Sequence, residues 1–382
     1  MSYERHKNVF MNTYPAIEDL AIKAKKRMPK IAWEYLESGT GSEHLLKKNI
    51  EAFDKITFKP QFCKGAVEPN IKTKILGQAF NAPFGVAPIG LTGLMWPKIE
   101  QTLAKTAKKY QIPFSLSTVA TETLETVSPY VGNMGWFQLY PPRRKELRKS
   151  LLERARKSNF RTLMVTVDVP IPSRRERTKR AGLRMPPKIA PSFIWGGITH
   201  PKWTIETLKN GLPRLRNVAQ YAEKNTIRSV ADFVGKELGG TVSWEYCKEL
   251  RDEWDGPLVI KGLLHPKDVE EAIKIGMDGV VVSNHGGRQF DGAPTSLDAL
   301  LEIVKVAKGK TAILFDGGVR TGLDIMKALS LGAEFILLGR PFIYGVAALG
   351  NYGGDHITEI LIDDLKNNMM QCGVNTVAEL RN

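Results

Sequence analysis

Cysteine is scarce: Cys63, Cys247 and Cys372 are three among 382 residues, odd in number and far apart. Such spacing excludes a disulfide framework and a cysteine-held zinc site, and it points to a reducing compartment. The six histidines include no His-x-x-x-His pair beside a carboxylate, so no metal is expected and metal-assisted hydrolysis is argued against. No apolar run approaches the ~18 residues that span a bilayer. The start, Met1-Ser2-Tyr3-Glu4-Arg5-His6-Lys7, lacks the continuous apolar core of a signal peptide. A cytoplasmic location, or one facing the cytoplasm, is expected. Acidic residues are outnumbered, 40 against 55 basic ones, for a net charge of +15. Most of that excess lies between Arg143 and Lys188, with 16 Lys/Arg against 4 Asp/Glu. Nucleic acid, an anionic membrane surface or small anionic ligands could each answer such charge. The stretch lacks the interleaved aromatics of a single-strand platform, so no nucleic acid partner is expected.

What is present is a repeated unit. Residues 1 to about 75 have helical spacing from Ala16 to Leu36, broken by Pro29, and then become irregular. Beyond them, short apolar or β-branched runs alternate with amphipathic stretches of helical length. The runs are Pro83–Ala87, Pro113–Leu116, Trp136–Leu139, Thr162–Val167, Leu258–Ile260, Gly279–Val282, Thr311–Phe315 and Phe335–Leu338. Helices are predicted over Ile99–Tyr110, Arg143–Ser158, Pro266–Ile275, Leu297–Ala307 and Gly322–Leu331. Eight strands alternating with helices favour a closed α/β barrel, the (β/α)8 TIM barrel, over an open doubly wound sheet. The glycine fingerprint that an open dinucleotide-binding sheet carries after its first strand is missing. One interval of roughly ninety residues, between Val167 and Pro257, breaks the rhythm. A connection this long is a lid, a binding segment or disordered, and residues 170–240 read as a basic insertion after the fourth strand. The expected organisation is therefore a helical segment, 1–75, packed on a catalytic barrel, 76–382.

In such a barrel the active site forms at the C-terminal ends of the strands. Polar residues gather there while the strand bodies stay apolar: Ser117, Gln138, Tyr140, Thr166, Asp168, Lys261, Ser283, His285, Arg288, Asp316, Arg320 and Arg340. Asp316-Gly317-Gly318-Val319-Arg320 and Gly339-Arg340, after the last two strands, have the composition of a phosphate cradle. Glycines let backbone N–H groups approach an anion, and arginine supplies a charged fork. His285 lies in a glycine-rich loop, with Asp168 available to orient it and Arg288 three residues on. A base with a carboxylate partner and nearby arginines suits removal of a proton from an anionic substrate. Lys261 is either a Schiff-base nucleophile or a fixed positive charge beside a cofactor.

Ser283-Asn-His-Gly-Gly-Arg288, taken with Phe137-Gln-Leu-Tyr140, Thr166-Val-Asp168 and Asp316-Gly-Gly-Val-Arg320, resembles the FMN-dependent L-2-hydroxy acid dehydrogenases and oxidases. The resemblance runs from about Ala16 to the C-terminal region. It is strongest toward bacterial respiratory L-lactate dehydrogenases, through Leu116-Ser-Thr-Val119, Trp136-Phe-Gln-Leu-Tyr140, Thr199-His-Pro-Lys-Trp203 and Trp254-Asp-Gly-Pro257. Gly90-Leu-Thr-Gly93 and Trp96-Pro-Lys98 are similar to mandelate dehydrogenase.

The resemblance implies FMN as cofactor and oxidation of an L-2-hydroxy acid, L-lactate to pyruvate, with electrons passed to quinone or another redox carrier. The alternative is an oxidase that uses oxygen and releases hydrogen peroxide. It further implies that His285 takes a proton and Asp168 stabilises the imidazolium. Arg175 and Arg288 hold the substrate carboxylate, and Tyr35 and Tyr140 complete its pocket. Lys261 stands near flavin N1 and O2; Ser117, Gln138, Thr166 and the backbone of Pro88, Ile89 and Gly90 contact the isoalloxazine. Asp316 meets the ribityl chain, and Gly318, Arg320, Gly339 and Arg340 the phosphate, with Ser283 and Gly317 completing the cofactor set. Gly90 stands where many oxidases carry Ala, and Val119 where glycolate oxidase carries Trp. A homo-oligomer, a tetramer, is expected. The insertion, with Phe193, Ile194, Trp195 and Trp203, is expected to be either a lid or a peripheral contact with the inner face of the cell membrane.

Overall fold

The computed structural model describes residues 3–183, 191–240 and 242–381. Eight short parallel strands close into a barrel: β1 (Phe84–Val86), β2 (Phe114–Ser117), β3 (Gly135–Leu139), β4 (Thr162–Thr166), β5 (Leu258–Leu263), β6 (Gly279–Val282), β7 (Ala312–Phe315) and β8 (Phe335–Leu338). Each pairs with the next in sequence, and β8 closes against β1 through Leu337↔Gly85. All eight coincide with the predicted runs to within three residues. Their bodies are buried because one face packs into the barrel and the other under the helices; Gly-Val-Val-Val282 is buried throughout. The predicted helices form over Ile99–Tyr110, Lys145–Lys157, Pro266–Ile275, Ser296–Ala307 and Gly322–Ser330. The last starts with a capping box, in which Thr321 accepts from Asp324 N and Asp324 accepts from Thr321 N.

Pro29 separates two N-terminal helices, Ile17–Arg27 and Lys30–Glu37. The first buries Leu20 and Ala24 completely and packs against the helix Arg340–Leu349 that follows β8. One element was not anticipated. A hairpin, Thr73–Ile75 paired with Gln78–Phe80, straddles residue 75. Leu76 and Gly77 both take positive φ, 51° and 75°, as a tight hairpin turn demands. Three-residue strands are too short for alternation to reveal. The hairpin brings Phe80 under the N-terminal end of the barrel, where its ring meets Trp136 at 6.0 Å and Phe335 at 5.5 Å. Phe80→Ala is expected to lower stability by about 3–5 kcal/mol, read as a reduced denaturant midpoint with an unchanged slope.

The insertion is ordered into helices that include Pro201–Asn210, Arg216–Ala219 and Ile227–Glu237. Trp203 corrects the expectation that it belongs to an outward apolar patch. It is buried, with its indole Nε1 donating to Leu94 O at 3.0 Å, so it ties the insertion to the barrel. The side chains of Phe193 and Ile194 lie outside the described residues. Trp195, Ile198 and Leu208 do face outward, at 67%, 66% and 75% exposure.

Candidate active site

The strand ends open into a cavity of about 600 Å3. Asp168, two residues past β4, meets His285, three residues past β6, with Oδ1 2.9 Å from Nδ1. His285 is held in a left-handed conformation (φ 58°), and its backbone N–H donates to Ser283 Oγ at 3.0 Å. Its other nitrogen, Nε2, is turned toward Tyr140 at 3.5 Å and lies against the cavity. Burial would raise the Asp168 carboxyl, but the charge and hydrogen bond of His285, with Lys261 behind them, hold it below its ordinary value. Burial and the Asp168 charge push the Tyr140 phenol well up, so it stays protonated.

Room for Asp168 depends on Gly262, which sits in a β-bulge between Lys261 and Leu263 with φ +106°. A Cβ there would stand 2.5 Å from Asp168 Cβ and Cγ. The same bulge aims Lys261 inward. Its Nζ donates to Asp316 Oδ2 at 2.5 Å and to Ser283 Oγ at 2.7 Å, and Ser283 Oγ in turn donates to Asp316 Oδ1. Ser117 works in the same way from outside the cavity, donating to Gln138 Oε1 at 2.7 Å. Neither serine lines the cavity; each orients a residue that does.

The arginines form two groups. Arg288 is half-buried and donates to the carbonyls of Leu36 (3.2 Å) and Ser38 (2.8 Å), with Tyr35 beneath it at 5.3 Å. Arg175 is held by Ser173 (2.9 Å) and Gln289 (3.2 Å), while Tyr35 donates to Gly90 O at 3.0 Å. Arg340 donates to Leu36 O, and Arg320 lies over Tyr344. Among the described residues, none of Arg175, Arg288, Arg320 and Arg340 has a partner carboxylate except through longer-range charge. Burial, together with the neighbouring cations, lowers the pKa of Arg288 and of Arg340. Partly desolvated like charges without counter-ions are unfavourable, and bound anions would relieve them.

Residues not singled out from sequence hold this arrangement. Asn49, on the helix His44–Glu51, and Asn284 bond reciprocally at 2.9 and 2.8 Å, docking the N-terminal segment on the loop that carries His285. Gly318 (φ +87°) lies so close to this helix that a Cβ would come within 2.0 Å of Asn49 O. No local pattern around Asn49 marks it, since its partner is 235 residues away. Gly318→Ala is therefore expected to displace the β7 loop and weaken cofactor retention at least tenfold, measurable by flavin release on dilution.

The residues fit a flavin mononucleotide. Gln138 Nε2 and Thr166 Oγ1 are buried, belong to cavity-lining residues and have no hydrogen-bond partner among the described residues. Such groups call for a ligand. Gly339 opens the helix Arg340–Leu349 without a side-chain cap, and an uncapped helix N-terminus that carries an arginine suits a phosphate. Among the described residues no cluster could hold a metal ion.

A closed parallel barrel whose mouth gathers a histidine–carboxylate pair, arginines without a partner carboxylate among the described residues, and free amide and hydroxyl groups suits a flavin-binding oxidoreductase. The FMN-dependent dehydrogenase family model matches residues 24–382, and the chain belongs to that family. Relatives include the L-lactate dehydrogenase of Pseudomonas aeruginosa, 35% identical with 96% of each chain covered. That of Acinetobacter baylyi is 35% identical, with 94% of this chain and 93% of that one covered. The monotopic membrane protein (S)-mandelate dehydrogenase superposes with a TM-score of 0.90 at 34% identity, covering 96% of this chain and 97% of that one. Mandelate oxidase superposes with a TM-score of 0.82 at 30% identity, covering 97% of each. The protein is an FMN-dependent 2-hydroxy acid dehydrogenase.

Proposed function

We propose that the chain oxidises L-lactate to pyruvate and passes the electrons to quinone or another redox carrier. The observation that carries this reading is the 2.9 Å Asp168–His285 pair beside a cavity that Arg288 also lines. Arg288 and Arg175 grip the substrate carboxylate, which directs the hydroxyl at C2 toward His285 Nε2. His285 takes the hydroxyl proton, and the ionised Asp168 stabilises the imidazolium through Nδ1. Tyr140 donates a hydrogen bond beside the reacting oxygen, and Tyr35 closes the pocket from the N-terminal segment. FMN, when bound, would supply the oxidant, taking the C2 hydrogen with the electron pair of the C2–H bond so that the 2-oxo acid is left. Gln138 and Thr166 would meet the ring with their free polar atoms, next to the backbone of Pro88, Ile89 and Gly90. Lys261, steadied by Ser283 and Asp316, would offer positive charge to the ring. Gly317, Gly318, Arg320, Gly339 and Arg340 would hold the phosphate.

The test is the absorption spectrum of the purified holoprotein. Anaerobic L-lactate is expected to bleach the flavin band and D-lactate to leave it; bleaching by neither overturns the reading.

The outward face of the insertion supports contact with an anionic membrane. Trp195, Ile198, Ile205 and Leu208 are exposed on a segment flanked by basic residues, and no described helix is long and apolar enough to cross a membrane. Apolar anchoring plus charge attraction is how a peripheral protein holds a bilayer surface. Binding to vesicles containing phosphatidylserine is expected to fall as salt rises and to drop at least fivefold in a Trp195→Ser/Leu208→Ser double variant. Equal vesicle binding by the variant would leave the insertion as a lid alone.

A further inference from the structure

The segment after β4 carries three arginines that are partnered differently. Arg174 pairs with Glu176 at 3.1 Å, and Arg177 pairs with Glu34 and Glu43. Arg175, between them, spends Nε on Ser173 Oγ at 2.9 Å and Nη2 on Gln289 Oε1 at 3.2 Å. Both of these acceptors are neutral. A guanidinium has five N–H donors, so most of the fork and the whole positive charge stay available on a residue that lines the cavity.

Gln289 comes from another loop, the one after β6, and that loop is firmly anchored. Arg288 is bonded to the carbonyls of Leu36 and Ser38, and Asp291 accepts from Leu45 N at 2.9 Å and Ser42 N at 3.1 Å. The loop after β4 has less to hold it. Pro170 and Pro172 have no N–H to give, and between Pro170 and Arg174 the chain makes no backbone–backbone hydrogen bond with another described residue. Gln289 Nε2 supplies a tie, donating to Asp168 O at 3.4 Å and Ile171 O at 3.5 Å. One amide thus turns its oxygen to a guanidinium and its nitrogen to two carbonyls. No charged side chain could do both. A carboxylate has no proton for the carbonyls and would neutralise Arg175, while a cation would repel it.

We propose that Gln289 is a positioning residue for the substrate carboxylate: it fixes Arg175 at the cavity through a neutral acceptor and so keeps the charge of that arginine for the anion. The inference rests on the oxidation proposed above and deepens it by naming what holds Arg175 ready.

The test uses holoenzyme and propanoate, which has the carboxylate of lactate without the hydroxyl to be oxidised. Its dissociation constant is read from the flavin difference spectrum. Gln289→Met keeps the length and loses both sets of bonds, and the constant should rise about threefold. Gln289→Glu sets a carboxylate beside Arg175 that competes with the ligand, and the rise should be at least about thirtyfold. KM for L-lactate should move in the same order, while flavin reduction at saturating lactate stays within about threefold of native in both. Lost packing alone would not rank glutamate below methionine. In an Arg175→Met background, Gln289→Met should shift the propanoate constant by less than about twofold, because the bond is already gone. Should glutamate impair folding, this methionine cycle decides alone. Glutamate no worse than methionine, or effects that add across the Arg175 background, overturns the inference while lactate oxidation stands. Native flavin that L-lactate does not bleach overturns the oxidation, and the propanoate titration then decides the role of Gln289 by itself.

Discussion

His285→Asn is expected to abolish flavin reduction by substrate, slowing it by about three to four orders of magnitude, while FMN stays bound. Asparagine is the chosen replacement because the residue sits at φ 58°, which asparagine tolerates and most side chains do not. The backbone bond to Ser283 can therefore survive, and with it the Lys261–Ser283–Asp316 cluster. The proposed phosphate cradle belongs to β7 and β8 and is untouched. Rapid mixing with substrate under anaerobic conditions measures the reduction step, and the visible spectrum confirms occupancy. Near-native reduction would remove His285 from the role of base. A colourless variant would instead place it in the cofactor's hold.

Arg288→Lys is expected to lower kcat/KM by about 100-fold, or ~2.7 kcal/mol. The native guanidinium spends one nitrogen on the carbonyls of Leu36 and Ser38 and keeps the rest of its planar fork for the cavity. A lysine ammonium has no such fork and cannot serve both carbonyls and a carboxylate in fixed geometry. Substrate protection gives a second readout. Burial and the charges of Arg175 and Arg340 make the empty site unfavourable for Arg288, so a saturating carboxylate should raise the native melting temperature more than that of the variant. Equal kcat/KM in the two proteins would show that the carboxylate is held elsewhere.

A weaker but sharper consequence concerns Gly262. Gly262→Ala forces a left-handed alanine and a Cβ 2.5 Å from the Asp168 side chain. Turnover should fall about tenfold to a hundredfold with the flavin spectrum nearly native. If Asp168 orients His285 as proposed, Asp168→Asn should show a loss of the same kind.

The periodicity of apolar residues determined the barrel. Strands such as Gly279–Val282 and Phe335–Leu338 are continuous apolar runs because both faces are buried, and that pattern is local enough to read directly. Strand ends are then fixed by the alternation, so the sequence by itself assigns His285, Asp168, Lys261, Asp316 and Arg320 to one mouth. The hairpin carrying Phe80 escaped because its strands have three residues each. Trp203 was misplaced for a different reason: composition records that an aromatic is present, not which way it points. What tertiary structure alone decided is the contact between segments far apart in the chain. The Asn49–Asn284 pair, the Asp168 side chain over Gly262, and the bond from Gly239 N to Pro141 O each join residues whose neighbours in sequence say nothing of the partner. Local sequence encodes the backbone's periodic preference; long-range pairing emerges only when the closed barrel brings its strand ends within a few ångströms of one another.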